Sequence, residues 1–476
     1  MLFNSPQFLF LFLPVSLALF LALKKWSHGR AVVAFVGLVS LVFYSFWDFR
    51  YLGLLLASIV FNFIVGGRLV KTGSRPLLWL GVGGNLLCLA WFKYAGFLAV
   101  NINAVMPFNI PIPQVILPLG ISFFTFVQIA YIVDAWRGRA GHHSFAEYLA
   151  FVTFFPHLIA GPILNHKSIM PQFHELPAKG YSWGKTAMGL SLLAMGLFKK
   201  VVLADGLAKY AIPVFTRADS GAALPLLDSW AGALHYTLQL YFDFSGYSDM
   251  AIGIGLMFGI RLPDNFRSPY RSASIIEFWR RWHITLSDFL KNYLYIPLGG
   301  NRRGEARRLA NLMLTMLLGG LWHGAGWTFV IWGGLHGLYL AVNHLWRRAF
   351  PPESAGMARK LAGWILTMGA VILAWVFFRS ATVAGALNLL AGMAGHNGMG
   401  EKFAGAGFLA MATAIALLMP NTMDIIAHAE GTGQKRWYSW RPDRRWAGLS
   451  AVLLAVSLYL MIYSSNRISE FIYFQF

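Results

Sequence analysis

The feature that most constrains the fold is a series of apolar stretches, long enough to cross a bilayer, with segments rich in Lys and Arg between them. The first stretch runs from Phe8 to Leu23, and Lys24, Lys25 and Arg30 follow it. Of the 476 residues, 57% are hydrophobic and 12% are charged, whereas a soluble domain is typically about a quarter charged. The pattern therefore predicts an all-α, multi-pass integral membrane protein.

Basic residues near the ends of the apolar stretches set the expected orientation, because cytoplasmic loops carry an excess of Lys and Arg. The loops that hold Arg68, Lys71 and Arg75 and residues 435–445 are expected in the cytoplasm. A Pro-rich loop over residues 107–118 and both chain termini are then expected outside. The expected spans cover residues 8–23, 31–47, a third that ends near residue 67, 77–92, 115–133, 186–203, 230–258, 361–378, 403–420 and 446–463.

Two apolar segments could be taken for something other than a spanning helix. A secretory signal needs a basic region before its apolar part, and residues 8–23 have none, so we expect a retained first helix. Residues 148–164 are interrupted by Pro156 and by Gly161-Pro162, which predicts a broken or re-entrant segment covered by protein. Because no internal repeat or low-complexity linker occurs, we expect a single domain over residues 1–476.

Net charge and cysteine content narrow the classes of partner and chemistry. The formal net charge is +20, which suits loops that face anionic lipid headgroups. Nucleic acid is not an expected partner, because the chain is mostly apolar. The single cysteine, Cys88, lies in an apolar stretch, and we interpret it as a small core residue rather than a catalytic thiol.

One histidine lies among glycines inside an apolar helical stretch, in the run Gly-Gly-Leu-Trp-His-Gly at residues 319–324. An ionisable residue in a membrane segment is a functional-site hypothesis, and glycines let another backbone or a ligand approach. His323 follows Arg308 by 15 residues, about 22 Å along a helix at about 1.5 Å per residue. The alternative is a neutral histidine satisfied by a neighbouring helix. His336 is a weaker candidate, because helix packing explains the glycines around it.

A second candidate segment, residues 274–293, has apolar residues at helical spacing and predicts one amphipathic helix at an interface or cavity wall. Ser274 and Glu277 form a capping-box signature at its start. His283 follows Trp279 by four residues and either packs structurally or lines the site of His323. Residues 261–308 hold ten basic and four acidic residues, which predicts a headgroup-facing surface or a cationic mouth for a phosphate-bearing donor.

Two carboxylates lie in the apolar run 241–249, at Asp243 and Asp249. They could pair with arginines of the following basic segment, bind a polar substrate, or both, because buried acids need partners. We favour a structural or cavity-lining role. Two segments resemble motifs of other enzyme classes but do not match them. His174-Glu175 lacks a second histidine at zinc-protease spacing, and residues 180–186 are one residue too short for a phosphate-binding loop.

These motifs together resemble the membrane-bound O-acyltransferase family. The motifs that carry the resemblance are Phe-Pro-His-Leu-Ile-Ala-Gly-Pro (155–162), Tyr-Phe-Asp-Phe-Ser-Gly-Tyr-Ser-Asp-Met (241–250), Glu-Phe-Trp-Arg-Arg-Trp-His (277–283), Leu-Gly-Gly-Asn-Arg (298–302) and Gly-Gly-Leu-Trp-His-Gly (319–324). The chain is most similar to the alginate O-acetylase branch, because the D-alanyl transferase branch lacks the run at 298–302. The resemblance covers nearly the whole chain.

The resemblance implies a ring of transmembrane helices, with re-entrant and interfacial helices, around a central tunnel in a bacterial inner membrane. Acetyl-CoA would enter from the cytoplasm as acyl donor, and a polysaccharide or a partner acetyltransferase protein would approach from outside. His323 matches the family's catalytic histidine and His283 its second histidine, with no bound cofactor or metal. Further substrate- or tunnel-lining side chains are expected at Trp322, Trp279, Tyr241, Asp243, Ser245, Asp249 and His336.

The mechanism that follows as a hypothesis is acetyl transfer by general-base catalysis. His323 deprotonates an acceptor hydroxyl, which attacks the acetyl thioester, while His283 or backbone N–H groups near Gly324 stabilise the oxyanion. A covalent acetyl relay on histidine is an alternative. Two other functions stay open: transfer of D-alanyl or another acyl group, and a transporter or channel with His323 and the aspartates along its path. The acceptor could be alginate, cellulose, peptidoglycan or another exopolysaccharide.

Overall fold

The computed structural model describes residues 1–26, 29–351, 356–463 and 471–472, and over these ranges the chain is built from helices without β-strands. The first helices are α1 (Leu13–Trp26), α2 (Arg30–Ser45), α3 (Leu52–Thr72), α4 (Arg75–Leu89), α5 (Ala95–Val105), α6 (Ile121–Trp136), α7 (Phe145–Thr153), α8 (Phe155–Leu158), α9 (His166–Glu175), α10 (Trp183–Phe198), α11 (Asp205–Asp219) and α12 (Leu226–Met257). They are followed by α13 (Ile275–Arg281), α14 (Ile284–Leu290), α15 (Glu305–His323), α16 (Trp327–Ala349), α17 (Met357–Arg379), α18 (Val383–Met393), α19 (Ala406–Leu418), α20 (Thr422–Ile426) and α21 (Arg444–Tyr463). Short π-helical turns lie at Phe8–Phe12, Ala90–Tyr94, Lys199–Ala204 and Lys291–Tyr295, and 3-10 turns lie at Phe49–Tyr51 and Pro269–Arg271.

Six continuous helical segments of the described chain are long and apolar enough to cross a membrane. They are Phe8–Trp26, Phe49–Thr72, Arg75–Val105, Trp183–Asp219, Met357–Arg379 and Arg444–Tyr463. A π-helical turn lies within three of them, so that α4 continues into α5 and α10 into α11 without a break. The all-α, multi-pass membrane character predicted from the sequence is therefore confirmed.

The central element is α12, which is buried along nearly all of residues 231–257. Its first half, 233–244, belongs to an apolar core shared with α11, α13, α16, α17 and α18. Its second half, 247–257, belongs to a core shared with α1, α2, α6, α7 and α10. A helix that is apolar around most of its circumference is expected at such a buried position.

Two glycine pairs let α10 and α12 pack backbone to backbone. A Cβ atom on Gly253 would lie 2.5 Å from the carbonyl oxygen of Gly189, and one on Gly246 would lie 2.7 Å from that of Gly196. Small residues at a helix interface allow this approach in membrane proteins. The same device joins α15 to α16, where a Cβ on Gly320 would lie 3.1 Å from the Cα of Gly333. Gly320, within the candidate histidine motif, therefore allows the backbone of α16 to approach α15.

Several predicted span boundaries differ from the structure. The span predicted at 77–92 is wrong at its end, because the helical segment continues to Val105. The span predicted at 115–133 starts only at Ile121, because residues 109–118 contain three prolines and form no regular secondary structure. The predicted break in 148–164 is confirmed: α7 ends at Thr153, α8 is a single turn, and residues 161–165 are irregular.

The prediction of one amphipathic helix over 274–293 is wrong. The structure has α13 and α14 there, separated by Trp282 in extended conformation (φ −101°, ψ 128°) and by His283 in the left-handed region (φ 42°, ψ 55°). Ser274 does cap α13 by accepting from the N–H of Glu277 at 3.2 Å. The Glu277 carboxylate accepts from the N–H of Ala273 at 3.0 Å instead of that of Ser274.

Two residues near the C-terminus pack against the central helix α12. The predicted external tail lies mostly outside the described residues, but Phe471 and Ile472 are described and buried. The N–H of Ile472 donates to Asp243 Oδ2 at 3.0 Å, and the ring of Phe471 packs edge-on against Tyr247 at 4.7 Å. The side of the membrane on which the termini lie stays a prediction.

Candidate active site

His323 is the last residue of α15, and its side chain is 5% exposed. The helix ends there because Gly324 takes an extended conformation (φ −158°). The imidazole lies edge-on to three aromatic rings, with centroid distances of 4.9 Å to Trp322, 5.0 Å to Trp332 and 5.2 Å to Phe378. The histidine singled out by the sequence is thus buried in an aromatic wall, where burial favours the neutral imidazole.

Two residues from the turn between α4 and α5 contact the end of α15. Lys93 Nζ donates to the carbonyl oxygens of Trp322 at 2.5 Å and His323 at 3.1 Å. The hydroxyl of Tyr94 donates to the carbonyl oxygen of Leu321 at 2.9 Å. The last carbonyl groups of a helix have no partner within the helix, so these contacts satisfy the backbone on which His323 is mounted.

His283 occupies the break between α13 and α14, in a backbone conformation that is uncommon for a residue other than glycine. The segment before α13 holds this break in place: the N–H of Ile284 donates to the Asn265 carbonyl at 3.0 Å, and the N–H of Arg267 donates to the Arg281 carbonyl at 2.9 Å. Left-handed backbone at a buried histidine costs energy and persists only where surrounding contacts enforce it. Such strain is typical of functional sites.

The amide of Asn265 determines which nitrogen of His283 carries the proton. The backbone N–H and the hydroxyl of Thr285 both donate to Asn265 Oδ1, at 3.4 and 2.9 Å, while Ile163 N–H donates to that hydroxyl at 3.0 Å. Oδ1 is therefore the acceptor atom, and His283 Nδ1, 3.1 Å from it, must be the donor. In the neutral ring the lone pair then lies on Nε2.

The two candidate histidines lie close together although they are 40 residues apart in the chain. Their ring centroids are separated by 6.5 Å. Trp322 contacts both rings, and Phe244 of α12 packs edge-on against His283 at 4.8 Å. His323, His283 and Trp322, which the sequence predicts to belong to one site, therefore lie together in the fold. Aromatic side chains surround the two imidazoles.

His336 is connected to this pair through Trp332. The ring of Trp332 contacts the histidines of both α15 and α16, with centroid distances of 5.0 Å to His323 and 4.8 Å to His336. The indole N–H of Trp279 donates to His336 Nδ1 at 3.3 Å, which leaves the proton of a neutral His336 on Nε2. Trp279 and His336 thus support Trp332, which itself touches His323.

Several buried N–H donors around this centre have no acceptor within the described chain. These donors are the indole nitrogens of Trp322, Trp332 and Trp375 and Nε2 of His336. Most buried polar groups in proteins are satisfied, and exceptions call for an explanation. Donors with no acceptor in the protein are able to bind the oxygen atoms of a ligand.

The acids of α12 pair with lysines, so the alternative of pairing with arginines of the following segment is wrong. Lys200 Nζ lies 2.8 Å from Asp243, and Lys199 Nζ lies 2.6 Å from Asp249. Both lysines belong to the π-helical turn after α10. Among the described residues, no group of three or more His, Cys, Asp or Glu side chains is placed to hold a metal ion.

The other two candidates on α12 are buried in its aromatic surroundings. Tyr241 packs against Tyr270 with a centroid distance of 5.3 Å, and Ser245 is 1% exposed. It is Phe244, between them in sequence, that brings α12 to His283. The structure therefore assembles part of the predicted set at the histidines and uses α12 mainly as an apolar wall there.

Three residues near the histidines were missed by the sequence reasoning. Lys93 lies in an apolar helical segment, so the cost argument applied to His323 would have found it, but the predicted span ended one residue earlier. Trp332 lies at helical spacing among other aromatic residues and gives no separate signal. Asn265 lies in an irregular segment, and its role depends on contacts distant in sequence.

A cavity of about 90 Å³ extends from His323 toward the ends of helices α4 and α6. Its walls include Trp47, Lys93, Gly120, Ser122, Trp322 and His323. Residues of the Pro-rich segment before α6 complete the lining. A small substrate group can therefore reach the imidazole of His323 through this cavity. The predicted tunnel through the whole protein stays a prediction.

Comparisons with known proteins identify the family to which the chain belongs. The model of the membrane-bound O-acyltransferase family matches residues 121–384. The peptidoglycan O-acetyltransferase of Helicobacter pylori is 44% identical over 84% of this chain and 81% of its own length. A protein of Azotobacter vinelandii named "Probable alginate O-acetylase AlgI" is 44% identical over 83% of this chain and 78% of its own length. The teichoic acid D-alanyltransferase of Streptococcus thermophilus is 30% identical over 52% of this chain and 60% of its own length. The chain therefore belongs to the membrane-bound O-acyltransferase family and is a multi-pass membrane O-acyltransferase.

Proposed function

We propose that this protein transfers an acetyl group from cytoplasmic acetyl-CoA to a hydroxyl group of an extracytoplasmic polysaccharide, directly or through a partner acetyltransferase. The observation that carries the proposal is the convergence of His323 and His283, 6.5 Å apart between ring centroids, beside a cavity. The relatives named for O-acetylation share more of this chain than the D-alanyltransferase does. That difference favours acetyl over D-alanyl transfer, and a polymer such as alginate, cellulose or peptidoglycan as final acceptor.

The location of the cavity supports an acceptor that arrives from outside in the bacterial inner membrane. Its lining includes Trp47 and Pro118, which lie in or next to segments that the charge pattern predicts to be extracytoplasmic. The basic region 261–308 would face the opposite side, because cytoplasmic surfaces carry an excess of Lys and Arg, and it would attract the phosphates of acetyl-CoA there. The two substrates would then meet at His323, and acetate need not cross the membrane as a free solute.

In the proposed reaction, His323 removes the proton from the acceptor hydroxyl as its oxygen attacks the thioester carbonyl carbon. The carbon–sulfur bond then breaks, and the imidazolium returns the proton to the departing thiolate. His283, whose lone pair lies on Nε2, accepts a hydrogen bond from the acceptor molecule and orients it. In this tautomer it does not donate to the oxyanion, so the N–H groups of Trp322 and Trp332 and backbone N–H groups near Gly324 take that role.

The direct test is His323→Ala. Removal of the general base is expected to lower acetyl transfer by at least about 100-fold, with an unchanged melting temperature of the detergent-purified protein. Transfer is measured with labelled acetyl-CoA and a panel of alginate, cellulose and peptidoglycan fragments. In parallel, alkali-released acetate is measured on the envelope polymers of cells that carry only the variant.

The matched control is His142→Ala, which removes an exposed imidazole from the segment between α6 and α7 and should leave transfer unchanged. Wild-type levels of polymer acetate in cells with His323→Ala would contradict the proposal. Uptake of a solute into sealed vesicles, without transfer of label in detergent, would instead favour the transporter.

A further inference from the structure

Lys93 and Tyr94 are consecutive residues that contact three consecutive carbonyl groups at the end of α15. Lys93 Nζ donates to the oxygens of Trp322 and His323, and Tyr94 donates to that of Leu321. The two elements are more than 220 residues apart in sequence. They meet where α15 ends at His323.

All three N–H donors of the Lys93 ammonium group have acceptors within the protein. Its third hydrogen bond goes to Ser122 Oγ at 3.3 Å, so three acceptors surround a group with three N–H donors. All three acceptors are neutral, and two of them are terminal carbonyls of a helix. The C-terminus of a helix carries a partial negative charge that stabilises a nearby cation. Lys93 therefore binds the helix end, although it also lines the cavity.

The turn that carries both residues is itself irregular. Ala90–Tyr94 is a π-helical turn within an otherwise continuous segment from Arg75 to Val105. Such turns are rare in proteins, and those that do occur often lie at functional sites. Here the turn allows two neighbouring side chains to reach the same helix end.

We propose that Lys93 and Tyr94 are positioning residues for the transfer reaction: they hold the C-terminal end of α15 and thereby fix His323 relative to His283. This inference rests on the proposed role of His323. Small displacements of a reacting group are costly, since a 1 Å error lowers rates by about 100-fold. A lysine that instead bound substrate would mainly change KM, so the two roles differ in a measurable way.

The experiment compares Lys93→Met, Lys93→Arg and Tyr94→Phe in detergent-purified full-length protein. The rate of thiol release from acetyl-CoA is measured with alginate and peptidoglycan fragments as acceptors. We expect Lys93→Met to lower kcat by about 10- to 100-fold and to leave KM for both substrates within about threefold. Lys93→Arg keeps donors for the carbonyl groups and should recover most of kcat. Tyr94→Phe loses one hydrogen bond and should lower kcat by about three- to tenfold.

The control Lys71→Met removes an exposed cation from the last turn of α3, and its kcat should equal that of the unchanged protein. A wild-type kcat in Lys93→Met, or a loss confined to KM, would overturn the inference. If Lys93→Met fails to fold, a wild-type kcat in the nearly isosteric Tyr94→Phe overturns it. His323→Ala in the same assay separates the two proposals: its retained activity removes the proposed function, whereas its inactivity beside a fully active Lys93→Met removes only the positioning role.

Discussion

At the residue scale, the side-chain amide of Asn265 determines which nitrogen of His283 carries the proton. Asn265 Oδ1 receives donors from Thr285 as well as from His283 Nδ1. Because the backbone N–H of Thr285 can only donate, the amide oxygen must face the ring. His283 is therefore equipped to accept a hydrogen bond at Nε2, which differs from the oxyanion donor expected from the sequence.

Replacement of Asn265 by Ala should weaken catalysis through this tautomer. Without the acceptor at Nδ1, the proton of a neutral His283 is free to move to Nε2, and the lone pair no longer faces the acceptor. We expect kcat to fall by about 10- to 100-fold, a part of what a positioned proton acceptor contributes, with melting temperature as the check on folding. Asn397→Ala, at an exposed asparagine, is the control. Full activity of Asn265→Ala would show that the amide does not control His283.

Two residues of the site could be predicted at this scale. His323 could be identified because the burial of an imidazole in an apolar stretch costs free energy, and His283 because it follows Trp279 at helical spacing. Asn265 and Trp332 had no such signal, because polar residues in irregular segments and aromatic residues in apolar helices are both ordinary. Their contribution depends on which distant atoms they meet, and composition carries no information on that.

At the scale of elements, the existence of helices was predictable, whereas an interruption was predictable only where Pro and Gly mark it, as in residues 148–164. The segments at 361–378 and 446–463 lie within α17 and α21. The break at His283 was invisible, because residues 275–290 contain no Gly or Pro and keep one apolar spacing. Hydrogen bonds from a preceding segment override local helix preference there. The spacing of apolar residues indicates which face of a helix is buried. Two short helices that follow each other in the sequence can show the same spacing as one long helix.

The packing of α10 against α12 leads to a prediction at this scale. In Gly253→Ala, the added Cβ would lie 2.5 Å from the Gly189 carbonyl oxygen, so two helices must separate. Overpacking of this kind typically costs about 1–3 kcal/mol, and we expect a lower melting temperature in detergent. Gly83→Ala is the matched control, because a Cβ at Gly83 of α4 meets no heavy atom within 4 Å. Equal melting temperatures for the two variants would contradict this account of the interface.

At the scale of the whole molecule, the buried helix α12 and the two apolar cores around it explain why distant motifs meet. Phe244 of α12 contacts His283, and Asp243 and Tyr247 of the same helix contact Ile472 and Phe471 near the C-terminus. The sequence predicted the multi-pass class from apolar content, but it could not place a helix at the centre. Burial on all sides looks, in sequence, much like exposure to lipid, because both favour apolar residues.

Orientation in the membrane is the whole-molecule property that the proposed function needs, since the acceptor must meet the cavity from outside. Cys88→Ala removes the single cysteine, and one new cysteine can then report its side of the membrane. Asn109→Cys, in the exposed segment after α5, should react with a membrane-impermeant maleimide on intact cells. Gln434→Cys, in the exposed basic loop before α21, should react only after the membrane is permeabilised. The reverse pattern would place the His323 cavity on the cytoplasmic side and would require the acceptor and donor routes to be exchanged.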